Sequence, residues 1–250
     1  MRADTQPGTT SSTNGTLPGS RDNMNNFRYV IDGIGYPSVT EILKCLDKPA
    51  LTAWKKKTPN SEQISRDRAT IGTIIHWKIQ RYLAEKFKLP PEPFRVDDLE
   101  VITHLHQGGT PEKCKICRRK ADMSLAIGVI WSYFEDFLLE HTLEPIQLEK
   151  TVCNTDMGYA GTLDFYGRLD GDLVILDWKT ARIFYKDNTY GAQLAAYKRA
   201  FKNNAKYLFV LRMNEDTGWG LREVEDDWAR FQDAHELYRQ QNPDRLPQKM

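Results

Sequence analysis

The chain has almost no net charge: 35 Lys and Arg stand against 34 Asp and Glu, leaving +1 over 250 residues. A globally basic footprint for nucleic acid is therefore absent, and any polyanion contact has to come from local patches. Long apolar runs are missing too. None approaches the ~18 residues of a membrane span, so the chain reads as a soluble globular protein with no membrane partner. Cysteine is scarce, with residues at 45, 114, 117 and 153. Without a signal-peptide pattern these read as reduced thiols or metal ligands in a cytoplasm, not as a disulfide framework. Large apolar side chains are nearly absent from residues 1–26, which are rich in Ser, Thr, Gly, Asn and Pro. Such a segment cannot offset its own ordering entropy and is expected to be a disordered tail.

The remaining residues, 27–250, are expected to form one domain in two blocks of different periodicity. In the first, 27–141, the signals from residue 37 onward are helical. Ser38 and Glu41 in "PSVTEIL" have the spacing of a capping box, Leu51 and Trp54 continue an apolar stripe, and "RATIGTIIHWKIQRYLAEKF" keeps helical spacing. A Gly- and Pro-containing break at "HLHQGGTPEKCKIC" precedes another helical stretch, "ADMSLAIGVIWSYFEDFLLEH". From 142 to 250 the order reads β-β-β-α-β-β-α, ending in a helix near 226–240. The expected class is α/β (α+β), a central mixed sheet flanked by helices, with the N-terminal helical region covering one face.

"GTLDFYGRLDGDLVILDWKT", residues 161–180, holds the most specific signal. Asp170-Gly171 marks a two-residue hairpin loop, so directly opposed residues have numbers that sum to 170 + 171 = 341. Asp164 and Asp177 satisfy that sum. They face each other on one side of the sheet, an arrangement of like charges that calls for something positive between them. Alternation along the strand puts Lys179 on the same face and Leu176 and Trp178 on the other. Two carboxylates suit a hard divalent cation such as Mg²⁺ or Mn²⁺, and an adjacent lysine can orient a water or stabilise charge developing on a phosphate. The same residues also admit a plain reading, a surface ion pair on a solvated sheet face. Against it stands the apolar run "LVIL" before Asp177, typical of a strand buried on both faces, where a charge must be paired or metal-bound.

"SVT..IL", "GTIIH", "GTLD", "LDWKT" and "QLAAY", in that order over roughly residues 36–200, resemble the PD-(D/E)XK nuclease superfamily, and within it the RecB-like exonuclease branch. The resemblance implies a restriction-endonuclease-like core and divalent-metal-dependent hydrolysis of DNA, single-stranded or at free ends, in repair or replication. It implies that His76, Asp164 and Asp177 ligate the metal, with the carbonyl of Trp178 as a further ligand and Lys179 as the active-site lysine. Glu149 matches an acidic residue on the preceding strand that binds a second metal or orients the first site; an edge-strand Glu paired with Lys150 is the alternative. Gln193, Tyr197 and Thr180 would line the DNA path. A lone helical His76 or Tyr197 can equally be a satisfied core residue. A non-catalytic nucleic-acid-binding module that keeps the fold is the second functional reading. An iron-sulfur variant is disfavoured, because no cysteine follows Lys179.

His104, His106, Cys114 and Cys117 form a two-His, two-Cys set compatible with structural Zn²⁺ in a small insertion at 104–120. "KCKICRRK" adds five basic residues in eight, so the stretch 113–120, with Lys115, Arg118 and Arg119, is expected to be a basic loop that helps hold DNA.

Overall fold

Two Asp-Gly dipeptides turn the chain through the same geometry at two of its hairpins. In the computed structural model, Asp32 and Gly33 have φ of 51° and 72°, and Asp170 and Gly171 have 52° and 91°. Positive φ at both central residues is the two-residue turn whose twist matches that of paired strands. The structure describes residues 27–90, 110, 113–184 and 189–249. The expected tail, and His104 and His106 of the candidate zinc set, lie outside them.

The first hairpin joins β1 (Tyr29–Ile31) to β2 (Ile34–Tyr36). Helices α1 (Val39–Ile42), α2 (Pro49–Lys57), α3 (Ser61–Phe87) and α4 (Lys115–Glu140) follow. Then come β3 (Leu143–Asn154), β4 (Tyr159–Leu169), β5 (Asp172–Lys179), α5 (Tyr190–Phe201), β6 (Tyr207–Asn214), β7 (Gly218–Glu223), α6 (Trp228–Gln241) and β8 (Gln248–Lys249). The second block is the expected β-β-β-α-β-β-α. Its strands form one mixed sheet in the order β3-β4-β5-β6-β7, antiparallel except for the β5–β6 pair that α5 bridges. This is the α/β class read from the sequence. Beyond it, β1, β2 and β8 form a small second sheet.

Helices cover both faces. Ile42, Leu194 and Phe231 of α1, α5 and α6 pack with Ile175 and Val210 on one face. On the other, Ile75 and Ile79 of α3 and Phe134 of α4 pack with Phe165, Leu176 and Trp178. The β4–β5 ladder has the predicted register, from Leu169↔Asp172 to Phe165↔Leu176, each pair summing to 341. Beyond Phe165 and Leu176 no further β4–β5 pair forms: β4 stays with β3 as far as Tyr159, while β5 stays with β6 as far as Lys179. The sheet therefore splays at the two aspartates.

The basic stretch expected as a loop is mostly helix, because α4 begins at Lys115. Positive side chains at a helix N-terminus oppose its dipole. Asp67 of α3 offsets this by binding the Arg119 guanidinium at 2.5 and 3.3 Å, which also ties α4 to α3. Ser38 caps α1 by accepting from the Glu41 amide at 3.0 Å. The Glu41 carboxylate, however, turns away to the Tyr238 hydroxyl at 2.8 Å and to Arg245, so only half of the expected capping box is used. Among the described residues, no helix is long and apolar enough to cross a membrane.

Candidate functional site

Where β4 and β5 part, the backbone of Trp178 loses its neighbour strand on that side, and two side chains take over. Its N–H donates to Asp164 Oδ2 at 2.9 Å, and its C=O accepts from His76 Nε2 at 3.0 Å. The indole holds this backbone in place from the other face, wedged edge-on between Phe134 and Phe165 with ring centroids 6.0 and 5.9 Å away. The carbonyl of Trp178, expected as a metal ligand, thus accepts a hydrogen bond that orients His76.

Glu149, Asp164 and Asp177 lie in one row across three strands. Glu149 and Asp164 occupy facing positions between the pairs Leu148↔Phe165 and Lys150↔Leu163. At Glu149 the backbone enters the left-handed region with φ 46°, which a residue with a Cβ adopts only at a cost. Its Oε1 is buried and accepts no hydrogen bond. His76 Nδ1 stands 3.7 Å from that oxygen and 3.4 Å from Asp164 Oδ2. With Nε2 donating to Trp178, the Nδ1 lone pair points at two carboxylates, which only a proton or a cation can relieve. Burial alone would pull the imidazole down, but Asp164 and Glu149 raise it well above its usual value.

Ligand atoms of His76, Glu149 and Asp164 all lie within 4.8 Å of one another. An orphaned buried carboxylate oxygen, an oxygen-rich donor set and a histidine whose second nitrogen is fixed by a backbone carbonyl fit a divalent cation. Glu149, not the Trp178 carbonyl, is the third group the fold brings to this spot.

Asp177, 2% exposed, has other partners: Lys179 Nζ at 2.6 Å from Oδ2 and Gln193 Nε2 at 3.0 Å from Oδ1. Burial pushes Asp177 up to about 6 against the pull of Lys179, with Asp164 adding to the rise. Burial would lower Lys179, yet Asp177 and Asp164 hold it above the ordinary lysine value. Lys179 therefore carries its proton. Gln193 also accepts from Lys179 Nζ at 3.4 Å and donates to the Tyr197 hydroxyl at 3.2 Å, so one face of α5 braces the Asp177–Lys179 pair.

Two motif glycines have steric reasons. A Cβ on Gly161 would lie 2.4 Å from Tyr197 Cε1, and one on Gly72 would meet Thr180 Oγ1 at 3.4 Å. The first lets α5 close over β4; the second lets α3 approach the exit of β5. Thr180 is half-buried there, its carbonyl accepting from Asn214 at 3.3 Å.

His76, Glu149, Asp164, Asp177, Lys179 and Gln193 line one cleft of about 610 Å³. Its walls also include Arg28 and Tyr29 of the first hairpin and Thr73, Trp77 and Gln80 along α3. Tyr29 is held by its hydroxyl to Thr162 Oγ1 at 3.0 Å. None of these wall residues was expected. Asp32-Gly33 could have revealed the hairpin, since it is the signal that fixed the second one. Cys114 precedes α4 and Cys117 lies in its first turn.

A sheet splayed at paired carboxylates, with a lysine two residues on and a metal-fitting His/Glu/Asp group, defines a metal-dependent nuclease core. The PD-(D/E)XK nuclease superfamily matches residues 50–246, and the chain belongs to it. Members of this superfamily generally hydrolyse phosphodiester bonds with divalent metals, and the fold implies a nucleic-acid substrate. No curated protein matches the chain. Among solved structures, one titled "Crystal structure of SSO0001" is similar at 15% identity and a TM-score of 0.27, over 66% of this chain and 87% of that one.

Proposed function

We propose that the protein is an exonuclease of the RecB-like branch, acting on single-stranded DNA or DNA ends with Mg²⁺ or Mn²⁺. The observation that carries this reading is the convergence of His76, Glu149 and Asp164 within 4.8 Å, beside the buried Asp177–Lys179 pair. The branch assignment is supported by that histidine, by the Gln193–Tyr197 brace and by the order of the five motifs. His76, Glu149 and Asp164, with Asp177 adjoining, would hold the ion, which supplies a Lewis acid for the phosphate and acidifies a water. Lys179, fixed by Asp177 and Gln193, presents a proton and a full positive charge to a phosphate oxygen or to the attacking water. The splay admits the scissile phosphate between β4 and β5, and Tyr197, Gln193 and Thr180 border its path.

The test is cleavage of end-labelled single-stranded and duplex DNA by the purified protein with and without Mg²⁺ or Mn²⁺. Losing a preorganised charge of this kind costs about 10²- to 10³-fold in rate, so Lys179→Ala should cleave that much more slowly while keeping metal affinity. Asp177→Ala should lose metal affinity as well. Cleavage by Lys179→Ala within a few-fold of the wild type overturns the reading in favour of a non-catalytic binding module.

A further inference from the structure

Helix α2 buries nothing: every residue from Pro49 to Lys57 is exposed. Leu51 and Trp54, three apart and so on one face, are 45% and 36% exposed. Together they make a small apolar pair at the surface of an ordered helix.

The charges around it are one-sided. Lys55, Lys56 and Lys57 end the helix, Lys44 and Lys48 precede it, and Asp47 is the one acidic residue between 44 and 57. None of these five lysines makes an ion pair among the described residues. The chain as a whole is nearly neutral, so this is a local concentration of positive charge. Its position is informative. Lys48, half-buried, lies close enough to Lys44, Lys179 and Arg230 that burial and then their repulsion lower its pKa. The basic segment thus starts within electrostatic reach of Lys179 and continues along α2, about 13 Å for nine residues at 1.5 Å each. The C-terminal end of α2 is fixed, since Ser61 Oγ at the start of α3 donates to the Lys55 carbonyl at 3.2 Å, and Thr40 of the preceding helix α1 lines the cleft.

We propose that α2 is a docking arm for the part of a single-stranded nucleic acid outside the cleft, with a base stacked on Trp54 and phosphates on the flanking lysines. This extends the nuclease reading by naming where the non-reacting strand lies. Chemistry favours this occupant. Every base offers a π face, a lysine track follows a phosphate backbone, and the track is continuous with the site where a phosphate is cleaved. An anionic membrane would also attract the lysines, but two apolar side chains make too small a face to insert.

The test is fluorescence anisotropy of a labelled oligothymidine with Ca²⁺ in place of Mg²⁺, so that binding is read without cleavage. Loss of one stacked base costs about tenfold in affinity, the expected effect of Trp54→Ala. The Lys55→Gln/Lys56→Gln/Lys57→Gln variant should lower the slope of log affinity against log salt by about 2, at ~0.7 per phosphate contact on a single strand. Leu139→Ala, at the most exposed large apolar residue of α4, should bind like the wild type. Unchanged oligothymidine affinity in both arm variants overturns the proposal, as does Trp54-dependent binding confined to phosphatidylserine vesicles. If the wild type binds DNA through Trp54 yet never cleaves it with Mg²⁺ or Mn²⁺, the nuclease reading fails and the arm stands. If it cleaves while Trp54 proves indifferent, the arm fails alone.

Discussion

His76 reaches across from α3 to the strand carbonyl of Trp178, 102 residues away in sequence, with Nε2 at 3.0 Å from the oxygen. That one bond fixes the imidazole tautomer and closes the gap left where β4 leaves β5. His76→Ala removes a metal-facing nitrogen and leaves the Trp178 carbonyl without this donor, at a cost of about 1–3 kcal/mol. His76→Gln, which can reach the carbonyl with an amide, should recover most of the stability but not the metal affinity. Thermal melts with and without Mn²⁺ separate the two effects.

Glu149 combines a left-handed backbone with a carboxylate oxygen that has no hydrogen-bond donor. Both features cost stability in the metal-free protein. Glu149→Gly relieves them together, so its apo melting temperature should rise at a pH high enough that His76 is neutral and no longer attracted to the carboxylate. The relief is on the order of 1–2 kcal/mol, partly offset by the ~0.5–1 kcal/mol entropy cost of glycine. The Mg²⁺-induced stabilisation seen in the wild type should disappear. A lower apo melting temperature for the glycine variant would refute the assignment of strain to this residue.

Gly161 can carry no side chain while Tyr197 sits where its Cβ would be. Gly161→Ala should destabilise the protein by about 1–3 kcal/mol, the usual cost of overpacking, and slow any cleavage by displacing the Gln193–Tyr197 brace. Pairing it with Tyr197→Ala should recover part of the lost stability, because the space is reopened. Additive losses in urea titrations of the two single variants and the double variant would count against this contact.

His235 supplies a pH dependence away from the cleft. Burial, then the charge of Arg239, holds its imidazole below 6.5, while Glu236 and a hydrogen bond with the Met157 backbone act in the opposite sense. It packs against Tyr159 and Phe231 in the core under α6. A histidine depressed in the folded state contributes stability that is present above its unfolded value near 6.5 and lost as pH falls toward the folded value. His235 should therefore take up to ~1.4 kcal/mol per pH unit off the unfolding free energy between pH 7 and 5, against the opposite contributions of His76 and Asp177, which are raised in the folded protein. His235→Gln should lack that share, and identical slopes in denaturant titrations of the two proteins would exclude it.

The hairpin register as far as Phe165↔Leu176, the shared side of Asp177 and Lys179, and the order of elements from β3 onward were legible because alternation and turn chemistry act over a few residues; the direct opposition of Asp164 and Asp177 is not formed, because β4 leaves β5 before it reaches them. Glu149 was read only through resemblance, since its place beside His76 depends on the irregularity in β3 and the splay of β4 from β5. Those are tertiary effects with no local signature. The basic run at 115–120 looked like a loop because it lacks an N-capping side chain and carries charges of the wrong sign for a helix start. Its compensation, Asp67, lies on another helix. The hydrogen bond between the Trp178 carbonyl and His76 was not legible for the same reason: which strand a backbone group loses is invisible until the sheet is assembled.

The pairing of β2 with β8 brings residues from opposite ends of the sequence into one ladder, Ile34↔Lys249 and Gly35↔Gln248. The hairpin fastened by that ladder supplies Arg28 and Tyr29 to the cleft wall. Non-local pairing of this kind forms late, because a long loop must close before any contact rewards it. The β4–β5 hairpin is by contrast a local contact, so the site's strands do not depend on the ladder that holds the wall beside them. Clipping or fusing the chain at residues 248–249 would leave the chemistry in place and loosen the gate to it.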